Sequence, residues 1–194
     1  MSQQDRRIEV SAAAWKVIVR EGLDRTSIRA IARELDCTTG VVTHYFRNKQ
    51  ELILFALNQV TENLKQAMQE AAQQPPSIER LVEMLSAFLP LDTKRQEILK
   101  VWVAFLGYAV GRESLMLQHQ ASAGQLRELI MQELEILKSA KKIREDIDTN
   151  IEANLLLALV NGIALDSLIQ EKCLNPRQQK MLIRRYFKEI TYCQ

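Results

Sequence analysis

Apolar residues recur three and four positions apart along almost the whole chain, the spacing that lines one face of an α-helix. Little interrupts them: 194 residues contain four prolines and six glycines, too little turn chemistry for an all-β fold. Ile8, Ala12, Trp15 and Val19 make a first helical stripe that Gly22 ends, and Ile28, Ile31, Ala32 and Leu35 make a short second one that Thr26 would cap. Asp36 and Cys37 form a tight connection to a third short helix, about Thr39 to Phe46. Asn48 then caps a long fourth helix, about 48–74, with Leu52, Ile53, Ala56, Val60 and Leu64 inward, until Pro75-Pro76 stops it. Beyond, helices are expected at about 77–89, 93–110, 113–140, 148–171 and 176–192. The breaks are Leu89-Pro90, Gly111-Arg112 and Asn175-Pro176, the last a cap with proline at the first helical position. The fold class is all-α, with about nine helices. Residues 1–50 form a small N-terminal module and 51–194 a larger helical body, joined by helix 48–74.

Charge is nearly balanced at +2, but unevenly placed. Residues 1–50 hold nine Lys and Arg against six Asp and Glu, while the remainder holds 17 against 18. Cys37, Cys173 and Cys193 are an odd number without close spacing, and with only His44 and His119 beside them they form no zinc pattern or disulfide framework. No cofactor is expected. The start, MSQQDRRIEV, has no apolar signal core, and no uninterrupted run of about 18 apolar residues occurs. A cytoplasmic protein without a membrane partner is the expectation. An enzyme is disfavoured, because no paired acids, nucleophile–base set or Gly-rich phosphate loop stands out.

Residues 38–49, TTGVVTHYFRNK, make a costly helix: Val41, Val42 and Thr43 are consecutive β-branched residues that lose χ1 freedom against the preceding turn. Such a segment is chosen for what its small polar surface touches. Two short helices on a tight turn, the second opening with small residues, describe a helix-turn-helix whose second helix enters the major groove. A groove about 12 Å wide excludes bulky leading side chains. Thr38 and Thr39 can bond base edges or phosphates, and Gly40 permits close backbone approach. Val42 and Phe46 pin the helix inward, Thr43, His44 and Tyr45 face the duplex, and Lys49 is placed to meet a phosphate.

The stretch GLDRTSIRAIARELDCTTGVVTHYFRNKQELI resembles the DNA-binding module of the TetR family of one-component regulators, over roughly residues 8–55. Its TTGVVTHYF form most resembles the branch of the choline-responsive betaine-synthesis repressors. Two positions depart from the pattern: Asp36 stands at the usual glycine of the turn, and Cys37 replaces a small aliphatic. The resemblance implies DNA contacts at Thr26, Ser27, Thr38, Thr39, Gly40, Thr43, His44, Tyr45 and Lys49, with Arg29 and Arg6 as phosphate partners. For Thr26, helix capping is the competing role.

In the body, ILKVWVAFLGYAVG places Trp102, Phe105 and Tyr108 on one helical face, with Met84, Phe88, Met116 and Met131 available from neighbouring helices. Core packing explains such a set by default; the alternative is an effector cavity with His119 or Asn161 as its polar handle. An aromatic wall could hold a quaternary ammonium such as choline. The helix 148–171 is apolar around most of its circumference from Leu155 to Leu168, unlike a surface helix of a single chain. With the helix behind it, it would pair with its copy in a homodimer through Leu155, Ala158, Leu159, Gly162, Leu165 and Ile169, joined by Met181-Leu182 and Tyr186. The function these readings imply is a homodimeric transcriptional regulator, a repressor released from an inverted-repeat operator on double-stranded DNA by a small-molecule effector. A ligand-independent architectural or adaptor protein using the same module is the alternative.

Overall fold

The computed structural model describes residues 3–170 and 174–191; Cys173 and Cys193 lie outside them. Among the described residues the chain forms nine α-helices: α1 (Gln3–Glu21), α2 (Ile28–Glu34), α3 (Thr39–Tyr45), α4 (Lys49–Ala71), α5 (Ile78–Ser86), α6 (Thr93–Ala109), α7 (Glu113–Ser139), α8 (Thr149–Ile169) and α9 (Pro176–Ile190). They divide into two compact units. One comprises residues up to Val60 with Lys100–His119, the other Thr61–Leu99 with residues from Gln120 onward.

The first unit contains two apolar clusters. One joins Val10, Ala13, Ala14 and Val17 of α1 to Ile31 and Ala32 of α2, Val42 of α3, Phe46 and Leu52. The buried stripe of α1 therefore differs from the expected one: Ile8 is 44% exposed and Ala12 is exposed, while Trp15 and Val19 are half-buried against the second cluster. Positions 10, 13, 14 and 17 satisfy helical spacing as well as 8, 12, 15 and 19 do, and only packing separates the two. Phe46 is fully buried, with its ring edge-on to Phe55 at 5.4 Å. The Arg7 guanidinium lies 4.8 Å from each of these two ring centres and 3.4 Å from a Glu51 carboxylate oxygen, tying α1 to α4.

The connection between α2 and α3 carries the strained residue of the helix-turn-helix. Asp36 has φ +50°, and the Cys37 amide returns to the Ala32 carbonyl at 2.9 Å while the Asp36 amide reaches Arg33, a helix-ending motif that favours glycine. Asp tolerates this backbone without preferring it. Asp36→Gly is expected to raise folding stability by about 0.5–1 kcal/mol in urea unfolding, and a β-branched residue there to lower it.

The N-cap of α2 is Ser27, whose hydroxyl accepts from the Ala30 amide at 3.2 Å, not the expected Thr26. Thr26 is buried and donates its hydroxyl hydrogen to the Gly22 carbonyl at 2.8 Å, bracing the turn where α1 ends at φ +81°. Asn48 caps α4 as its position implies, accepting from Glu51 at 2.9 Å.

In the second unit Leu81 and Leu85 of α5, Ile130, Leu134 and Leu137 of α7, Leu156 and Val160 of α8, and Ile183 and Phe187 of α9 form one core. Beside it lies a buried ion pair. Arg80 donates to both Glu133 carboxylate oxygens at 2.6 and 2.7 Å, and its remaining Nη1 reaches the Ala72 and Gln74 carbonyls at 3.0 and 2.6 Å. One guanidinium thus fastens the end of α4 and the turn before Pro75 to α5 and α7. Asn175 caps α9 with Pro176 at its first position, as the sequence implies, and Gln178 completes a reciprocal capping box; Asp148, expected inside its helix, caps α8.

Candidate nucleic-acid interface and effector site

Helix α3 inserts one fully buried residue, Val42, into the first unit's core and turns a continuous polar surface outward. Thr39, Gly40, Thr43 and His44 are exposed on it, and Tyr45 is half-buried with its ring edge-on to His44 at 4.9 Å. Thr38 holds the N-cap position in an extended backbone conformation, but its side chain makes no capping bond, which leaves the hydroxyl for an outside partner. Thr43 directs its hydroxyl hydrogen to the Thr39 and Gly40 carbonyls at 3.1 and 3.3 Å. What it can offer outward is a methyl group and oxygen lone pairs, suited to a thymine methyl or a base amino group.

Exposed cations lie on the chain segments before and after α3. Arg29 is exposed, and so are Arg25, Arg33 and Arg47, which the family pattern did not single out; none of the four makes an ion pair among the described residues. Their signal in the sequence is only the local basic surplus. Arg6 pairs with Glu9 at 2.6 Å, and Arg20 bonds Glu34 at 2.7 Å, which holds that carboxyl below its usual range. Ser27 is exposed beside Arg29 but gives its hydroxyl oxygen to the cap. Lys49 does not stand free: its ammonium donates to the Leu23 carbonyl at 2.5 Å and lies 5.7 Å from the ring centre of Tyr108.

The residues expected to line an effector cavity fall into two groups. Trp102, Phe105, Tyr108, Met116 and His119 gather in the first unit, around a cluster that also buries Ile18, Leu23, Ile53 and Leu57. Phe105 is 1% exposed there and belongs to the core, while Trp102 and Tyr108 are half-buried at its edge. His119 stands 6.2 Å from the Trp102 ring and 5.8 Å from Phe105, and burial lowers its pKa from the ordinary 6.5. Met84, Phe88 and Met131 pack in the core of the second unit, where Asn161 is half-buried on α8. A separate open cleft of about 510 Å³ on the second unit is lined by Lys65 of α4 and by Ala121, Gly124, Gln125, Glu128 and Leu129 of α7. None of these six was singled out in the sequence; the small pair Ala121 and Gly124 is the only hint.

The His119 environment has a pH consequence. Its folded pKa lies below the unfolded one, so as pH falls through about 6.5 the unfolded chain takes up a proton that the folded unit resists. Stability is therefore complete above that pH and declines below it. The melting temperature is expected to drop between about pH 7.5 and 5.5, and His119→Gln to flatten that drop.

On α8 one side is core and the other is open. Ile151, Leu155, Leu165 and Ile169 are 57%, 50%, 40% and 69% exposed, and Ala158 and Gly162 are exposed between them. Positions 151, 155, 158, 162, 165 and 169 alternate steps of four and three and so form a continuous stripe; on α9, Met181 is 58% exposed. Leu159 and Leu182 are half-buried against the core, as is Tyr186, whose hydroxyl is buried without a partner among the described residues. By length and composition α8 could also cross a membrane, with mean hydropathy 1.5. That character comes from a helix apolar on two opposite sides, one of which already packs in the second unit.

Comparison with known proteins decides the lineage. The family of BetI-type transcriptional repressors matches residues 76–191 through its C-terminal region, and the tetR family of bacterial regulatory proteins matches residues 11–55. The chain belongs to the TetR family. It is a transcriptional regulator, and regulators of the TetR family bind DNA and small-molecule effectors. This TetR-family chain is similar to the regulator PksA of Bacillus subtilis, 28% identical over 98% of this chain and 92% of that one. It is similar to the regulator BetI of Vibrio vulnificus at 25% over 96% and 93%. Among solved structures, a transcriptional regulator from Rhodococcus superposes with a TM-score of 0.83 at 25% identity, over 98% of this chain and 96% of that one. A regulator from Saccharomonospora viridis, solved in complex with choline, superposes at 0.88 with 19% identity, over 98% and 100%, which establishes the shared fold.

Proposed function

We propose that this regulator is a homodimeric repressor of the bacterial cytoplasm that leaves an inverted-repeat operator when a small molecule occupies its C-terminal body. Residues 1–50 read the DNA and 51–194 dimerise and sense the effector. The observation that carries the reading is the outward face of α3: four small or polar residues held on a helix whose inward face is locked by Val42. Thr39 and Thr43 are the base readers in this scheme, with Gly40, His44 and Tyr45 alongside. Thr38, Ser27 and Arg29 position the module on phosphates. The stripe on α8 is covered by the same stripe of a second copy, which places two recognition helices over successive major grooves about 34 Å apart. The effector shifts the population toward a dimer whose helices no longer match that spacing.

Choline is bound by the Saccharomonospora relative. For this chain the half-buried aromatic residues Trp102 and Tyr108 offer ring faces that a cation of that type can use.

Selection from random duplexes, followed by fluorescence anisotropy at several salt concentrations, tests the proposal. The expected winner is an inverted repeat with half-sites about 10 bp apart and an affinity that falls steeply with salt. Thr43→Ala is expected to change the preferred base in each half-site at a loss of about 1–3 kcal/mol on the original site. No enrichment in the selection would remove the repressor reading.

A further inference from the structure

Lys49 opens α4, and a cation in the first turn of a helix stands at the unfavourable end of the macrodipole. Something must hold it there. Its ammonium donates to the Leu23 carbonyl at 2.5 Å, an oxygen that also accepts from the Thr26 amide at 3.2 Å. The Tyr108 ring centre lies 5.7 Å from the same nitrogen, inside the range in which a cation is attracted to an aromatic face. Tyr108 is itself held: the Arg112 guanidinium is 4.0 Å from its ring centre and donates to its carbonyl oxygen. The turn that Lys49 grips, from Gly22 to Ser27, is the one that launches α2 and therefore aims α3. All of these residues belong to one compact unit.

We propose that Tyr108 is a positioning residue for DNA reading: its ring keeps the Lys49 ammonium on the Leu23 carbonyl, and this internal clamp, not a phosphate contact, is what Lys49 contributes. The inference rests on the DNA-reading function proposed above. Tyr108 shares α6 with Trp102 and Phe105, so any repacking of that aromatic face reaches the clamp through one helix turn or two. The clamp and a direct phosphate contact predict different salt behaviour. A lysine on a phosphate releases a counterion when it binds, and its removal lowers the slope of log affinity against log salt by about 0.9 per half-site, about 1.8 for a dimer on both. Removal of an internal clamp lowers affinity and leaves the slope alone.

The test is anisotropy on the selected operator between about 50 and 200 mM salt, with wild type, Lys49→Met, Tyr108→Phe, Tyr108→Leu and the double variant Lys49→Met/Tyr108→Leu. Lys49→Met and Tyr108→Leu are each expected to weaken binding about tenfold at unchanged slope. Tyr108→Phe, which keeps the ring face, is expected to stay within about twofold, and the double variant to be no weaker than Lys49→Met alone. Should Tyr108→Leu fail to fold, pentafluorophenylalanine at 108 replaces it: the ring keeps its shape with its quadrupole reversed, and binding is expected to weaken as for Leu. A slope reduced by about 1.8 in Lys49→Met, or wild-type affinity in Tyr108→Leu, overturns the inference. A wild-type chain without salt-dependent affinity for any duplex overturns the DNA-reading proposal and the clamp with it.

Discussion

Glu133→Ala is expected to cost about 3–5 kcal/mol of folding free energy and to lower the melting temperature by roughly 10 °C. The reason is the guanidinium left behind. Side chains of Arg80 and Glu133 are 7% and 3% exposed, so removal of the carboxylate strands a cation where water cannot reach it. The two carbonyls of Ala72 and Gln74 that Arg80 also holds satisfy part of its hydrogen bonding but none of its charge. Arg80→Met is expected to be nearly as damaging, since it strands the carboxylate and releases the turn before Pro75. The double variant Arg80→Met/Glu133→Leu is expected to recover much of the loss, because two apolar residues restore packing without a buried charge. Thermal and urea unfolding of the three proteins measures this; a Glu133→Ala protein as stable as wild type would show that the pair is solvated.

The second large effect concerns α8. If the stripe on α8 pairs two copies as proposed, Leu155→Arg is expected to yield a monomer and to reduce operator affinity at least about 100-fold. Leu155 is 50% exposed in the single chain, so an arginine there costs the subunit's own folding little. Pressed against its copy across a twofold axis, the same arginine buries two like charges in an apolar seam. A monomer retains one recognition helix and loses the effective concentration that links two half-sites. Light scattering and anisotropy read the two consequences together, with Leu155→Ala as the mild control. A monomeric Leu155→Arg protein with full operator affinity would separate DNA reading from dimerisation.

Much of the architecture is legible along the chain because helices announce themselves locally. Gly22, Gly111, Pro75-Pro76 and the Asn175-Pro176 cap each mark a boundary the structure keeps, and every helix falls within a few residues of the expected span. What was not legible depends on distance or direction. Two overlapping stripes on α1 have equal periodicity, and only contact with Ile31 and Val42 selects the buried one. Thr26 reads as the cap in sequence; the Gly22 carbonyl within its reach engages it elsewhere and the cap falls to Ser27. Arg80 and Glu133 are 53 positions apart, so nothing nearby foretells their pairing. Lys49 is the sharpest case. Its position at a fixed offset from the recognition helix is readable, but a four-carbon stem can carry the ammonium outward or inward, and the Leu23 carbonyl takes it inward.

The division of labour on α3 bears on how such a regulator evolves. Only Val42 anchors the helix by full burial, while Thr39, Gly40, Thr43 and His44 contribute almost nothing to the core. Exchanges at such exposed positions typically move stability by no more than about 0.5 kcal/mol. With α3 as the DNA reader proposed above, mutational drift there is screened by the operator and hardly at all by the fold. A duplicated copy of this chain can explore new DNA addresses while remaining fully folded, which is the condition under which a lineage of repressors diversifies its targets faster than its scaffold.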